Sequence, residues 1–396
     1  MIKIGKPSVV PNGDKVRLAA NITIDGEISQ LWFEVDASYG RFLCPERSDA
    51  FVLAFIQYAI QYGHDITTET PMTDRLYDRL TEGFLPAFNK ANELSLKIVS
   101  DVAPEVEHPS DGCHVGTGCS CGVDSLHVYA RHADITDACV WNGHGADLSV
   151  GREARAGVFA ALVNRARNFS AEAKVQNVLV GDSNFDEGCV KGLRWDGMTT
   201  YGNLFMVFAL QKYWRKYYIA SDCDVANFSF KIKGVFADPA RYEYFLFPFL
   251  ALKGLLIEMD GSDRNRVEKV ADLASYEPAR KYLNVCHRIN EGHRNGSYDC
   301  PKCMRTMLDL DCCGMLDGFS EVFDVAYYRR NFHEYLAEYY RGLIQGDNFA
   351  LELVPYMKNR DIALGVRLKA IRILAKKALM KLLRGGSTKM GGFSSK

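Results

Sequence analysis

From Gly112 to about Leu308 short apolar runs alternate with helical segments, and this alternation restricts the folds open to the chain more than any other feature. The runs are Cys113–Cys119, Ala138–Trp141, Val175–Val180, Tyr217–Ala220 and Leu255–Met259, all rich in branched or aromatic residues. Ala154–Asn168 and Thr200–Trp214 between them read as helices, and Leu126–Arg131 follows the first run after a glycine-bearing turn. Strands that alternate with helices predict an α/β fold, a parallel sheet flanked by helices. Ligands on such sheets sit outside the carboxyl ends of the strands, so the loops after the five runs are where chemistry is expected.

The flanking segments have a different texture. Residues 1–108 predict an α+β unit, with strands at Val16–Ile24 and Leu31–Val35 beside the turn pairs Asn12-Gly13 and Asp25-Gly26. A helix is expected over Ser48–Tyr62, where Phe51, Leu53, Phe55, Ile56 and Ile60 recur, and a further strand at Leu94–Val99. Past Val322 the chain reads as helical, with Tyr328–Leu343 and Ile362–Leu383. A length of 396 residues exceeds one ordinary core. Three units are therefore expected: an N-terminal β-rich domain (1–108), an α/β domain (109–322) and a helical C-terminal extension (323–396).

The composition, 47% hydrophobic and 24% charged with a net charge of −1, is that of a globular protein and gives no global reason for a nucleic acid partner. No uncharged apolar run reaches the roughly 18 residues of a membrane span. The start, Met1–Lys6, lacks the apolar stretch of a secretory signal. Twelve cysteines in such a chain suggest thiols or metal ligands in a reducing compartment, and a cytoplasmic location is expected.

Ser120-Cys121-Gly122-Val123-Asp124-Ser125 stands where the first strand hands over to a helix. Small residues there let backbone N–H groups approach a phosphate, and the helix N-terminus adds a favourable dipole. Ser120 and Ser125 offer hydroxyls, and Asp124 is placed to hold Mg²⁺ or to fix the loop. This segment resembles the PP-loop, or N-type ATP pyrophosphatase, superfamily, whose signature reads Ser-Gly-Gly-x-Asp-Ser; Cys121 replaces the first glycine. The resemblance implies an adenine nucleotide alpha hydrolase-like fold, binding of ATP and Mg²⁺, cleavage between the α and β phosphates and adenylation of a substrate oxygen. It implies a nucleotide-binding loop made of Ser120, Cys121, Gly122, Val123, Asp124 and Ser125, with Asp124 also catalytic. The chain has no Walker A segment and no complete Gly-x-Gly-x-x-Gly fingerprint.

The other strand ends add candidates. Asn142-Gly143-His144-Gly145-Ala146-Asp147 follows the second strand; the resemblance places Asn142 and Gly143 near adenine and ribose, and a simple turn is the plainer alternative. Gly181-Asp182-Ser183-Asn184 follows the third. Ser221-Asp222-Cys223-Asp224 follows the fourth and offers Ser221 and Asp222 to substrate or Mg²⁺, or is a solvated loop. After the fifth, Asp260–Lys269 runs into a helix whose Arg266 and Lys269 are candidates to neutralise the pyrophosphate leaving group. A charged first turn facing water is the competing reading.

Cys286 precedes Cys300-Pro301-Lys302-Cys303, and a Cys-x-x-Cys pair with an upstream thiolate is a common structural-zinc layout. The arrangement resembles the zinc site of 7-cyano-7-deazaguanine synthases, which use four cysteines; Ser297 stands at the position of the fourth. His293, His287 or the pair Cys312-Cys313 are the candidates to complete a Zn²⁺ shell. Unmetallated thiols and a redox pair are the alternatives.

Residues 362–384 interleave apolar residues with Arg367, Lys369, Arg372, Lys376, Lys377, Lys381 and Arg384 and contain no acid. Such a helix suits an anionic lipid surface, an acidic carrier or RNA, or it docks on its own protein. The function expected from all this is an AMP-forming, ATP-dependent ligase or amidotransferase acting on a small-molecule or nucleobase carboxylate or amide. No glutaminase nucleophile follows Met1, so ammonia is expected free or from a partner. An RNA sulfur transferase using Cys121, and a non-catalytic nucleotide-binding protein, are the alternatives.

Overall fold

The Asp25-Gly26 pair sets the first piece of structure. Both residues have positive φ (51° and 93°), as a two-residue hairpin turn of the right twist requires. In this computed structural model, which describes residues 1–109, 111–143, 152–187, 195–231, 238–286, 295, 300–358 and 360–387, the turn joins two ten-residue strands in register from Lys15↔Asp36 to Ile24↔Glu27. Leu18, Ala20 and Ile22 on one strand and Leu31, Phe33 and Val35 on the other are buried, the alternation of a sheet with one core-facing side.

The strands in chain order are β1 Ile2–Ile4, β2 Ser8–Asn12, β3 Lys15–Ile24, β4 Glu27–Asp36, β5 Ile66–Thr68, β6 Met72–Thr73, β7 Ile98–Val99, β8 Val102–Ala103, β9 His114–Gly118, β10 Asp137–Trp141, β11 Asn177–Ser183, β12 Trp214–Ala220 and β13 Leu256–Asp260. Eleven of them form one sheet, ordered β13-β12-β9-β10-β11-β4-β3-β1-β5-β7 with β2 beside β3; β6 and β8 pair separately. The stretch β13 to β11 is wholly parallel. The fold is thus α/β, with a mostly parallel central sheet flanked by helices and a helical C-terminal part.

The chain divides into Met1–Arg264 and Asn265–Lys396, and not at 108 or 322. The reason lies in one seam. β11 pairs antiparallel with β4 through Asp182↔Glu34 and Ser183↔Phe33, which fuses the N-terminal hairpins to the parallel sheet. A single core then runs from Ile2 to Ile257. Phe33 packs edge-on against Trp141 (5.8 Å between ring centroids), and Phe51 of the helix Asp49–Tyr62 against Phe205 (5.3 Å).

Three element boundaries differ from those expected. Leu94–Val99 yields only the two-residue β7, because Glu93 is left-handed and the next residues close the preceding helix: Leu94 N–H donates to Asn89 O (2.9 Å) and Asn89 Nδ2 to Leu96 O (2.9 Å). The helix expected at Thr200–Trp214 spans Trp195–Ala209, and Trp214 opens β12. Leu204 to Leu210 are buried without interruption, so no periodicity marks where that helix stops. Tyr328–Leu343 is broken at Asn331 into Val325–Arg330 and Phe332–Gln345, the first capped by Asp324, whose carboxylate accepts from Tyr327 N–H (2.8 Å).

The second unit is helical among its described residues. Arg266–Leu273 starts on a reciprocal capping box between Asn265 and Glu268, and Pro301–Cys312, Phe332–Gln345 and Leu364–Ser387 are its longest helices. No helix among the described residues is long and apolar enough to cross a membrane.

Candidate functional site

β9 and β12 are neighbours in the sheet, and the connection leaving β9 runs to β10 on one side while that leaving β12 runs to β13 on the other. This is the switch point at which open α/β sheets form a crevice. The Ser120–Ser125 turn begins there. Cys119 N–H donates to Cys139 O (2.7 Å), fixing the end of β9 against β10. Cys121 then takes φ +56°, Gly122 is the N-cap, and Val123–Arg131 follows as a helix with no side-chain cap.

A left-handed backbone costs a residue with a Cβ about 1 kcal/mol and costs glycine little. Position 121 therefore has a backbone suited to glycine but carries a cysteine. The Cys121 side chain is fully buried, so it does not project over the outer face of the turn. The adjacent Cys119 thiol and then burial push the Cys121 thiol well above its ordinary range, while Arg165 pulls it down. A neutral thiol is a weak nucleophile, which counts against persulfide chemistry there. Cys121→Gly is expected to leave the fold intact with stability within about 1 kcal/mol of the parent, relief of strain offsetting lost burial. Cys121→Val, whose branched side chain resists positive φ, is expected to cost more, and thermal melts of the two variants compare them.

The two serines act differently. Ser120 is exposed and its Oγ accepts from Gly122 N–H (3.2 Å). Ser125 is buried and donates its hydroxyl to Gly118 O (2.8 Å), tying the helix back to β9 rather than presenting it to a ligand. Val123 is buried, and Asp124 sits half-buried in the first turn.

Sequence reasoning missed Arg165, on the helix Arg152–Ala173. It is half-buried; burial lowers its pKa, and among the described residues only the thiols of Cys121 and Cys119 oppose that, with no carboxylate contributing. Arg165 thus stands near enough to the turn to feel its thiols, and among the described residues no ion pair joins it to an acid. It stands mid-helix among ordinary surface charges, so no spacing rule singles it out.

Also missed was the set that anchors the helix after the turn. Asp260, at the end of β13, is 8% exposed and lies within ion-pair distance of Arg131 Nε and His132 Nε2 (3.3 Å each), with His127 Nδ1 at 3.7 Å. His132 stacks on Tyr218 of β12 (3.9 Å). His127 and Arg131 are one helical turn apart, a signal that becomes visible once the helix is assigned.

At the neighbouring strand ends, Asn142 N–H donates to Gly181 O (2.9 Å). Gly143 has φ +90°, and a Cβ there would lie 2.0 Å from Ser183 O, so only glycine fits. His144–Asp147 lies outside the described residues. Ser221 is buried and donates its hydroxyl to Cys223 O, inside its own turn. Asp224 caps a short turn, accepting from Asn227 N–H (3.1 Å) and Nδ2 (2.7 Å), and Asp222 in the same loop is exposed. The structure thus brings the Ser120–Ser125 turn, Asn142, Gly143, Ser221 and Asp222 to one edge of one sheet.

Arg266 and Lys269 belong to the second unit. Arg266 opens its helix; its N–H donates to Glu352 (2.9 Å) and its guanidinium to Thr306 Oγ1 (3.4 Å). Lys269 is 2% exposed, so the competing reading of a water-facing charge does not hold for it. Near Arg266 and Arg305 lies Asp309, fully buried with neither carboxylate oxygen hydrogen-bonded, and burial pushes its pKa up to about 7.

The second unit also assembles a thiol cluster. Cys286, Cys300 and Cys303 are buried with ligand atoms all within 4.8 Å of one another, close enough to share one metal ion. Cys300 is the N-cap of Pro301–Cys312, so Cys303 returns one turn later on the same side, at the helix end that favours thiolate. Cys286 is brought in by Asn295, whose Oδ1 accepts from Val285 and Cys286 N–H (2.9 and 3.1 Å) and whose Nδ2 donates to Leu283 O. Nothing in the sequence marked Asn295. His287 and His293 lie outside the described residues. Cys312 and Cys313 do not join the cluster: at 1.5 Å rise per residue Cys312 lies about 13 Å along the helix from Cys303, and its thiol faces Met357 and Arg360.

Comparisons of the chain with protein-family models, with curated proteins and with solved structures return no match.

Proposed function

We propose that the first unit binds the phosphates of ATP at the Ser120–Ser125 turn and adenylates a carboxylate or amide oxygen of a small molecule or nucleobase, releasing pyrophosphate. The observation that carries this is the place of the turn: it leaves the first parallel strand at the switch point and opens a helix on a glycine with no side-chain cap. The first-turn N–H groups of a helix have no partner within the helix, and with the helix dipole they favour an anion at that point. Arg165 adds the positive charge that a polyphosphate requires, and the inward Cys121 side chain leaves the outer face clear. The sequence resemblance to PP-loop enzymes, and through it to the adenine nucleotide alpha hydrolase-like fold, agrees with the strand order 3-2-1-4-5 of the parallel segment.

Bound Mg²⁺ would neutralise phosphate charge, and the exposed Asp222 and the first-turn Asp124 are carboxylates on the two loops that would face it. Holding the helix in place falls to Asp260, gripped by Arg131 and His132, while Ser125 ties the same helix to β9. Rigid donors of this kind stabilise developing charge without reorganising. In the second unit the three clustered cysteines would hold zinc in a structural role.

With ATP and Mg²⁺ at a hundred times the dissociation constant, the first unit should gain about 2.7 kcal/mol of stability, read as a rise in melting temperature. Arg165→Gln should weaken ATP binding at least tenfold, the order lost with one charge-assisted contact. Millimolar ATP producing neither heat nor a melting shift would end the nucleotide reading. AMP release in a screen of carboxylate and nucleobase substrates distinguishes an adenylating enzyme from a nucleotide-binding protein.

A further inference from the structure

The helix Leu364–Ser387 contains seven basic residues and no acidic one, in a chain whose whole net charge is −1. It has two apolar faces. Ala370 is fully buried and Val366, Ile373 and Leu374 are half-buried on the side by which the helix packs on Phe332–Gln345. On the other side Leu364, Leu368, Ile371 and Leu379 are 71%, 46%, 52% and 57% exposed, with Ala375 and Ala378 exposed between them. At 100° per residue these six fall within an arc of about 100°, one continuous stripe. Arg372, Lys369 and Lys376 line one edge of it and Arg367 the other, all exposed. Docking on its own protein therefore accounts for only one of the two faces.

We infer that the exposed stripe is a membrane-surface contact: the helix lies in the plane of an anionic bilayer, its leucines and Ile371 in the acyl boundary and its basic rim on the headgroups. Charge complementarity selects this occupant. A second copy meeting the stripe would set lysine and arginine against lysine and arginine, with no acid on the helix to relieve them. RNA would use the charge and leave the apolar stripe in water. An anionic bilayer satisfies both, since such helices bind by buried apolar area together with attraction to acidic lipid.

The test is cosedimentation of the full chain with vesicles of equal parts phosphatidylcholine and phosphatidylserine, and with phosphatidylcholine alone. Binding is expected only to the acidic vesicles and should fall as salt rises. Leu368→Asp with Ile371→Asp, and separately Arg372→Glu with Lys376→Glu, should each weaken it at least about tenfold. All four residues face solvent, so circular dichroism should stay unchanged in both variants. Equal binding to neutral vesicles, or none to acidic ones, overturns the inference. So does a dimer in ultracentrifugation that the Leu368→Asp/Ile371→Asp variant dissolves, or binding confined to single-stranded RNA that survives that variant.

Discussion

Purified without chelators, the full chain is expected to hold about one zinc ion, and Cys300→Ser or Cys303→Ser to lose the metal and the fold of the second unit together. Structural zinc contributes apparent binding free energy on the order of 10 kcal/mol, larger than the net stability of most domains. The three buried thiols make that energy a condition of folding, because they close the 287–299 segment between Cys286 and the helix that Cys300 caps. Without the ion, thiolates that close together repel, and protonated thiols make only weak hydrogen bonds. Elemental analysis gives the metal content, and a chelator titration followed by circular dichroism gives the coupling to helix. Zinc well below one per chain beside an intact helical signal would show that these cysteines are ordinary thiols. ATP binding should persist in the variants wherever the first unit remains folded.

The second large effect concerns pH. Folding raises the Asp309 carboxyl from its ordinary 3.8 to about 7 through burial, opposed by Arg266 and Arg305. A raised value means that the folded state takes up a proton. The stability this contributes is whole below the ordinary carboxyl value and is lost as the pH climbs through about 7, a fall on the order of 4 kcal/mol from this group. Asp309→Asn keeps the shape and removes the titration. Its urea midpoint should therefore change less between pH 5 and pH 8 than the parent's, and at pH 8 it should be the more stable of the two. Parallel midpoints for the two proteins would mean that Asp309 is ionised and paired throughout.

The strands of the parallel sheet were legible because branched and aromatic runs of that length have few other uses. Helix ends were not legible where Leu204–Leu210 is apolar on every side. The division into units was hidden for a different reason: it depends on two residue pairs between β4 and β11, far apart in sequence, and no local pattern encodes them. At the candidate site the turn was legible from its small residues, and so was the cysteine spacing. Arg165 and Asn295 were not, since an arginine mid-helix and a lone asparagine are commonplace until the fold sets one near the Cys121 thiol and the other against the Cys286 N–H. The burial of Lys269 was not legible, because charge at a helix start normally faces water, and here the helix turns that side inward.

The seam between β4 and β11 also bears on how the chain is made. Ser183 Oγ donates to Trp32 O, a partner 151 residues earlier. At roughly 5–20 residues per second, the outer edge of β4 waits on the order of ten to thirty seconds for the strand that covers it. Through that interval a nascent chain presents the Phe33–Glu34 end of β4 with open hydrogen-bonding groups beside an uncovered core face, the kind of template on which other chains add. Truncation before β11 makes that wait permanent, so a gene fragment ending near residue 108 should accumulate in inclusion bodies, whereas one ending at Arg264 keeps the sheet whole.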